Sequence, residues 1–355
     1  MPPTREIYKE YTRLLEELSL SKRSAARMIA DKYGLSLDPT RRRLHQYDVR
    51  LKDDLSKWKD ALSDLRRQNH FVVGHASDIH APFHDQQALN LSYQTTHHLQ
   101  PNIVVVGSDF ADFPTISAYA PDPDLGNEDI LETIQQAWWR HIDDIRKAAP
   151  NAVLVWIRGN HEERLWRFIN ESAPQIRNTT RDAFINLIRY QGNVLYLGDI
   201  PEIEIGPLTV LHGDNTCIGD MAARKLLTHR RFQGFYMFGH NHKITEYTTQ
   251  GNNRLSGAAG GGHLGQRIPH YQRNSKFNHW IQGTCYGIVD WKADYVAFEN
   301  LKFQVDNKGT LHTSIGSTHF TERKCTSSRQ TTQWHNVMQN SIESSPSSTS
   351  QMNAK

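Results

Sequence analysis

Five short apolar runs, each ending on oxygen- and nitrogen-bearing side chains, constrain this chain more than anything else in it. Phe71, Val72 and Val73 lead to Asp78 and His80, residues 103–106 lead to Asp109, and residues 152–157 lead to Asn160 and His161. Residues 208–211 lead to His212, and residues 235–238 lead to Gly239, His240 and His242. Runs without polar alternation predict strands covered on both faces, and helical stretches such as 129–149 fall between them. The expectation is an α/β layered domain. In such a sheet the residues just past the strand ends converge on one crevice. Gly74, Gly107, Gly159, Gly213 and Gly239 flank the donors, where the backbone must turn tightly beside a site.

Carboxylate, carboxamide oxygen and imidazole together suit a pair of borderline divalent cations, such as zinc, manganese, iron or nickel, without thiolate. Cys217, Cys285 and Cys325 are odd in number and far apart, and are read as reduced thiols. An Asp-x-His pair brings two side chains to one ion. Asp109 stands alone and can bridge two ions with its two oxygens.

The ordered set SDIHAPFHD, GSDFAD, RGNHEER, HGD and GHNH, spanning Asp78 to His242, resembles the signature of calcineurin-like metallophosphoesterases. The resemblance implies a four-layer α/β/β/α sandwich. It also implies that Asp78, His80 and His242 hold a first metal and Asn160, His212 and His240 a second, with Asp109 between them. His161 would protonate the leaving oxygen, and Asp112 would orient its neighbours. The implied cofactor is two divalent ions, manganese first, with zinc, iron, nickel or magnesium as alternatives. One departure is Ser108, which separates Gly107 from Asp109 where the family has the two adjacent, and which could shift that turn. Arg158 and Arg164 flank the RGNHEER element and are read either as phosphate contacts or as solvated salt bridges.

Residues 1–67 differ in texture. They carry 16 Lys or Arg against 11 Asp or Glu, a net +5 in a chain of +3 overall. Residues 24–33 predict a short helix, Gly34 a stop and 35–37 a turn, with Pro39 opening a second helix that bears Arg41, Arg42, Arg43 and His45. This is a helix-turn-helix pattern whose arginines could contact DNA, followed over 49–67 by a charged spacer helix. The expected organisation is a small all-α domain over 1–67, a phosphoesterase domain over 68–321 and a polar, disordered tail over 322–355. Residues 256–265 read as a Gly-rich loop forming a mobile rim, with His263 and Tyr271 as substrate contacts. Trp280, Gln282 and Gly283 resemble a stretch found in phage and prophage members.

A start without an apolar segment and no run of 18 apolar residues predict a cytoplasmic protein with no membrane partner. Phe113 follows Asp112 where Ser/Thr protein phosphatases have Arg, which with the Gly-His-x-His ending favours phosphodiesters. DNA is the expected substrate and partner, and the oligomeric state is left open. The rival readings are a phosphomonoesterase or small-nucleotide phosphodiesterase with an assembly module, and a DNA-binding regulator with a structural metal site.

Overall fold

The computed structural model describes residues 22–33, 37–116, 130–214, 216–251, 254–268 and 280–323. Within these, β1 (His70–His75), β2 (Ile103–Gly107), β3 (Val153–Ile157) and β4 (Val194–Tyr196) pair in parallel. The antiparallel strands β10 (Gly283–Asp290) and β11 (Tyr295–Lys302) extend the β1 edge, giving the order β11-β10-β1-β2-β3-β4. The second sheet has the order β5-β6-β7-β9-β8. It is built from β5 (Glu202–Ile205), β6 (Leu208–Leu211), β7 (Phe235–Phe238), β8 (Ile244–Gly251) and β9 (Arg254–Gly261). A small sheet of β12 (Gln304–Val305), β13 (Leu311–Ile315) and β14 (Thr318–Glu322) closes one flank.

The absence of alternation in the apolar runs has a direct cause. Ile103, Val105, Val155 and Ile157 point into the space between the two large sheets, where they meet Ile203, Ile205, Val210 and Met237. Their neighbours Val104, Val106, Leu154 and Trp156 point the other way, onto helices α3 (Gln86–Leu99), α4 (Ile130–Ala148) and α6 (Arg177–Arg189). On the far face of the second sheet Leu211, Phe238 and Ala258 pack against Leu226 and Leu227 of α7 (Ala222–His229). The order is therefore helices, sheet, sheet, helix: the four-layer sandwich. The remaining helix, α5 (Asn160–Ser172), starts directly after β3.

The N-terminal helices depart from the sequence reading. Helix α1 (Lys22–Tyr33) matches the expected first helix, with Ala25, Ile29 and Ala30 buried. The expected second helix and spacer are instead one unbroken helix, α2 (Leu37–Gln68). Pro39 sits in its first turn, where a missing N–H costs nothing. The end of α2 is held by the sandwich: Trp58 and Leu65 enter the inter-sheet core, and buried Asp54 accepts from the Tyr196 N–H at 3.1 Å and pairs with Arg189 at 3.1 Å. The side chains of Arg41, Arg42, Arg43 and His45, residues 34–36 where the stop and most of the turn are expected, Tyr271 and the tail from 324 lie outside the described residues. Among the described residues no helix is long and apolar enough to cross a membrane.

The Gly-rich loop is also corrected, because residues 254–261 form β9, an interior strand between β7 and β8. A Cβ on Gly257 or Gly260 would press on the rings of Phe298, Phe235 and Phe238, so these glycines admit aromatic packing against a strand.

His141 on α4 gives the sandwich an acid-sensitive point. Burial pushes its imidazole down to about 3, with His84 adding to the effect. Unfolding returns it to about 6.5, so the stabilisation from a neutral His141 is complete above pH 6.5 and is lost as pH falls toward 3. Urea unfolding of His141→Phe against wild type should show the variant losing about 2 kcal/mol less between pH 7 and pH 5.

Candidate metal centre

The donors sit where the sheets end. Asp78, Asp109 and Asn160 follow the parallel strands β1, β2 and β3, and His212, His240 and His242 follow β6 and β7. Asp78, His80, Asp109, His240 and His242 all have positive φ, between 54° and 65°. These are conformations that Asp and His tolerate better than most residues but still at a cost, and they aim successive side chains at one point. Two glycines permit the crowding. A Cβ on Gly159 would strike the Asp109 carboxylate and N–H, and one on Gly239 would strike the Asp78 carboxylate.

The seven predicted donors gather as two adjoining groups. In the first, Asp78 Oδ1 lies 3.1 Å from His242 Nε2, and His242 Nε2 lies 3.0 Å from His80 Nε2. In the second, Asn160 Oδ1 lies 2.7 Å from His212 Nε2 and 2.9 Å from His240 Nδ1, and the two ring nitrogens are 3.2 Å apart. Asp109 stands between the groups: its Oδ2 is 3.2 Å from His212 Nε2 and 3.7 Å from His161 Nε2. The sets Asp78–His80–His242, His80–Asp109–His161 and Asp109–His212–His240 each offer donor atoms within 4.8 Å of one another.

This geometry fits a pair of cations. Ring nitrogens 3.0 and 3.2 Å apart turn lone pairs toward each other, an arrangement that needs a proton or a positive ion between them. Donors about 2.0–2.1 Å from one tetrahedral ion stand about 3.3 Å apart, close to these separations. Electrostatics point the same way. Burial would raise the Asp78 and Asp109 carboxyls, yet the imidazoles of His242 and His212 hold both well below the usual range. Burial would depress His212, but Asp109, Asp78 and Glu162 push it up to about 9. Burial instead lowers His240 and His242, so the positive charge rests on His212 and His80, and a metal would displace it.

His161 is set apart from the donors by its partners. Its Nδ1 pairs with Asp112 Oδ1, its backbone N–H donates to Asp109 Oδ1 at 2.8 Å, and Arg164 stands 3.4 Å from its Nε2. Arg164 also donates to the Asp112 carbonyl at 2.8 Å, so it braces this corner. Arg158 faces Glu163 at 3.5 Å. His263 is 1 % exposed, which places it beneath the centre and not on a rim: its ring stacks on His242 at 5.2 Å, and Trp280 meets the same histidine edge-on at 4.0 Å.

Two contributors escaped the sequence reading. Glu162, buried and at the third position of α5, accepts from the N–H groups of Asp109 at 3.1 Å, Ala111 at 3.0 Å and Gly159 at 2.9 Å. It ties the loop after β2 to the start of α5, and burial, then the charge of Asp109, raises its pKa. Its only sequence signal is the capping-box position, three residues after Gly159. Ser108 takes a positive φ of 53° within the turn. Its Oγ lies 2.8 Å from His212 Nδ1, so the hydroxyl orients the ring with Nε2 toward Asn160 and Asp109.

Elemental analysis after dialysis against manganese or zinc should find two ions per chain. Glu162→Gln puts an amide NH2 against backbone N–H groups, and should lower both occupancy and unfolding free energy, the latter by about 1–3 kcal/mol in urea titration.

Comparison with protein-family models matches residues 71–244 to the calcineurin-like phosphoesterase family. A search of curated protein sequences gives no significant match. Among solved structures, the chain is similar to Vps29 of Chaetomium thermophilum at 9 % identity and TM-score 0.36, covering 72 % of this chain and 98 % of that one. The same protein complexed with the RaPID-derived cyclic peptide RT-D3 is similar at 10 % identity, with equal coverage and TM-score.

Proposed function

Since residues 71–244 place this chain in the calcineurin-like phosphoesterase family, we propose that it is a dinuclear metal-dependent hydrolase of phosphodiesters, with DNA as substrate. The observation that carries the proposal is the gathering of Asp78, His80, Asp109, Asn160, His212, His240 and His242 at the strand ends, with His161 beside them. When bound, two divalent cations supply Lewis-acid charge for the phosphoryl oxygens and for the attacking water.

The chain's own residues do the rest. His161 is held through Nδ1 by Asp112, which leaves Nε2 facing the cleft as the position from which a proton passes to the leaving oxygen. Asp112 is anchored below the usual carboxylate range: burial opposes this, but hydrogen bonds with His161 and His80 prevail, so it remains an acceptor. Arg164, braced on Asp112, supports phosphate charge from the same side.

The DNA reading rests on the net +5 of residues 1–67 and on the three consecutive arginines at the start of α2. With the full chain and manganese, linear DNA and bis-p-nitrophenyl phosphate should be cleaved faster than p-nitrophenyl phosphate. Preference for the monoester would favour the phosphomonoesterase reading. Cleavage of none of the three by metal-loaded protein would favour the DNA-binding regulator. His161→Ala should lower kcat by about 10²- to 10⁴-fold with metal content unchanged. Replacing Arg41, Arg42 and Arg43 together by Ala should weaken DNA binding and flatten its salt dependence by about 2–3 in log–log slope. An unaltered slope would remove these residues from the interface.

A further inference from the structure

Behind the metal-bearing loops lies a small cavity, of about 110 Å³, between α3, α4 and residues 79–84. Its walls include Ile79 and Phe110, which adjoin the donors Asp78, His80 and Asp109, and also Leu89 and Ala137. Apolar walls alone would explain a small packing void, but two imidazoles also line it. His141 is 2 % exposed and its Nε2 has no hydrogen-bond partner among the described residues, and the buried Nδ1 of His84 has none among them either. Buried polar atoms left unsatisfied are costly, so two imidazoles carrying such atoms in the lining of one cavity point to a polar guest.

The lining narrows what that guest can be. The Tyr93 hydroxyl lies 2.8 Å from His141 Nδ1. With that hydroxyl donating, the proton of a neutral His141 sits on Nε2 and is offered to the cavity. Arg140 and Gln136 complete the polar side, and the positive charge of Arg140 disfavours a cation. A volume of about 110 Å³ admits a few waters or one tetrahedral ion.

We propose that this cavity binds a small oxyanion of the size and shape of inorganic phosphate, held by His141 Nε2, His84 and Arg140, at a site separate from the metal centre. The proposal does not depend on the hydrolytic reading, because no predicted metal donor lines the cavity.

The test uses the full chain stripped of metal with a chelator and titrated calorimetrically with phosphate and with sulfate, against chloride at equal ionic strength. Saturable binding of the tetrahedral anions is expected, weakened at least tenfold by Arg140→Gln, an exposed position that leaves the fold intact, and likewise by His141→Phe. Asp78→Asn should leave that binding unchanged. Absence of saturable binding, or equal affinity in wild type and Arg140→Gln, would overturn the proposal and leave the cavity to water. Loss of binding in Asp78→Asn alone would place the anion at the metal centre and overturn it equally.

Discussion

Two carboxylates, Asp78 and Asp109, are buried where two sheets end, and four imidazoles are pressed against them. Charges removed from water in this way are tolerated only when opposite charge stands within a few ångströms. In the protein alone His212 and His80 provide it, which is why both are driven upward and both carboxyls downward. A pair of divalent ions satisfies the same demand with every lone pair directed inward. The remainder of the architecture serves to bring these groups into mutual range and to keep them there.

That work is divided between rigid strands and strained loops. Strands β1, β2, β3, β6 and β7 are covered on both faces, so their ends are fixed in space. Beyond β1, β2 and β7 several residues, among them Asp78, His80, Asp109, His240 and His242, then adopt left-handed backbone conformations that a free peptide would avoid. Glu162 offsets part of this cost by collecting two N–H groups from the strained loop after β2 and a third from Gly159 at the start of α5, and Gly159 and Gly239 remove the atoms that would otherwise hold the carboxylates apart. Fold and site are therefore energetically joined: a change that loosens one loop releases strain while scattering the donors.

Much of this was legible in the sequence because it depends on local patterns. Uninterrupted apolar runs declare strands with two covered faces, and donor types placed after them declare a metal site. What was not legible depends on tertiary placement. The composition of residues 256–261 suggests a loop, and only the rings of Phe235, Phe238 and Phe298 explain why an interior strand is made of glycine and alanine. Pro39 and the charged residues after it suggest two helices, and burial of Trp58 and Leu65 is what draws the end of one long helix onto the sheets. His263 looks like a surface donor until the ring of His242 is found lying over it. Glu162 has no motif of its own beyond a capping position, since its role is set by where three distant backbone groups point.

The attachment of α2 bears on how the leading segment relates to the sandwich. A helix of 32 residues extends about 48 Å, and its last turns are fastened by Asp54, Trp58 and Leu65. It behaves as a cantilever, not a tether. The first turns of α2, and α1 packed against them, therefore stand at a set distance and bearing from the cleft.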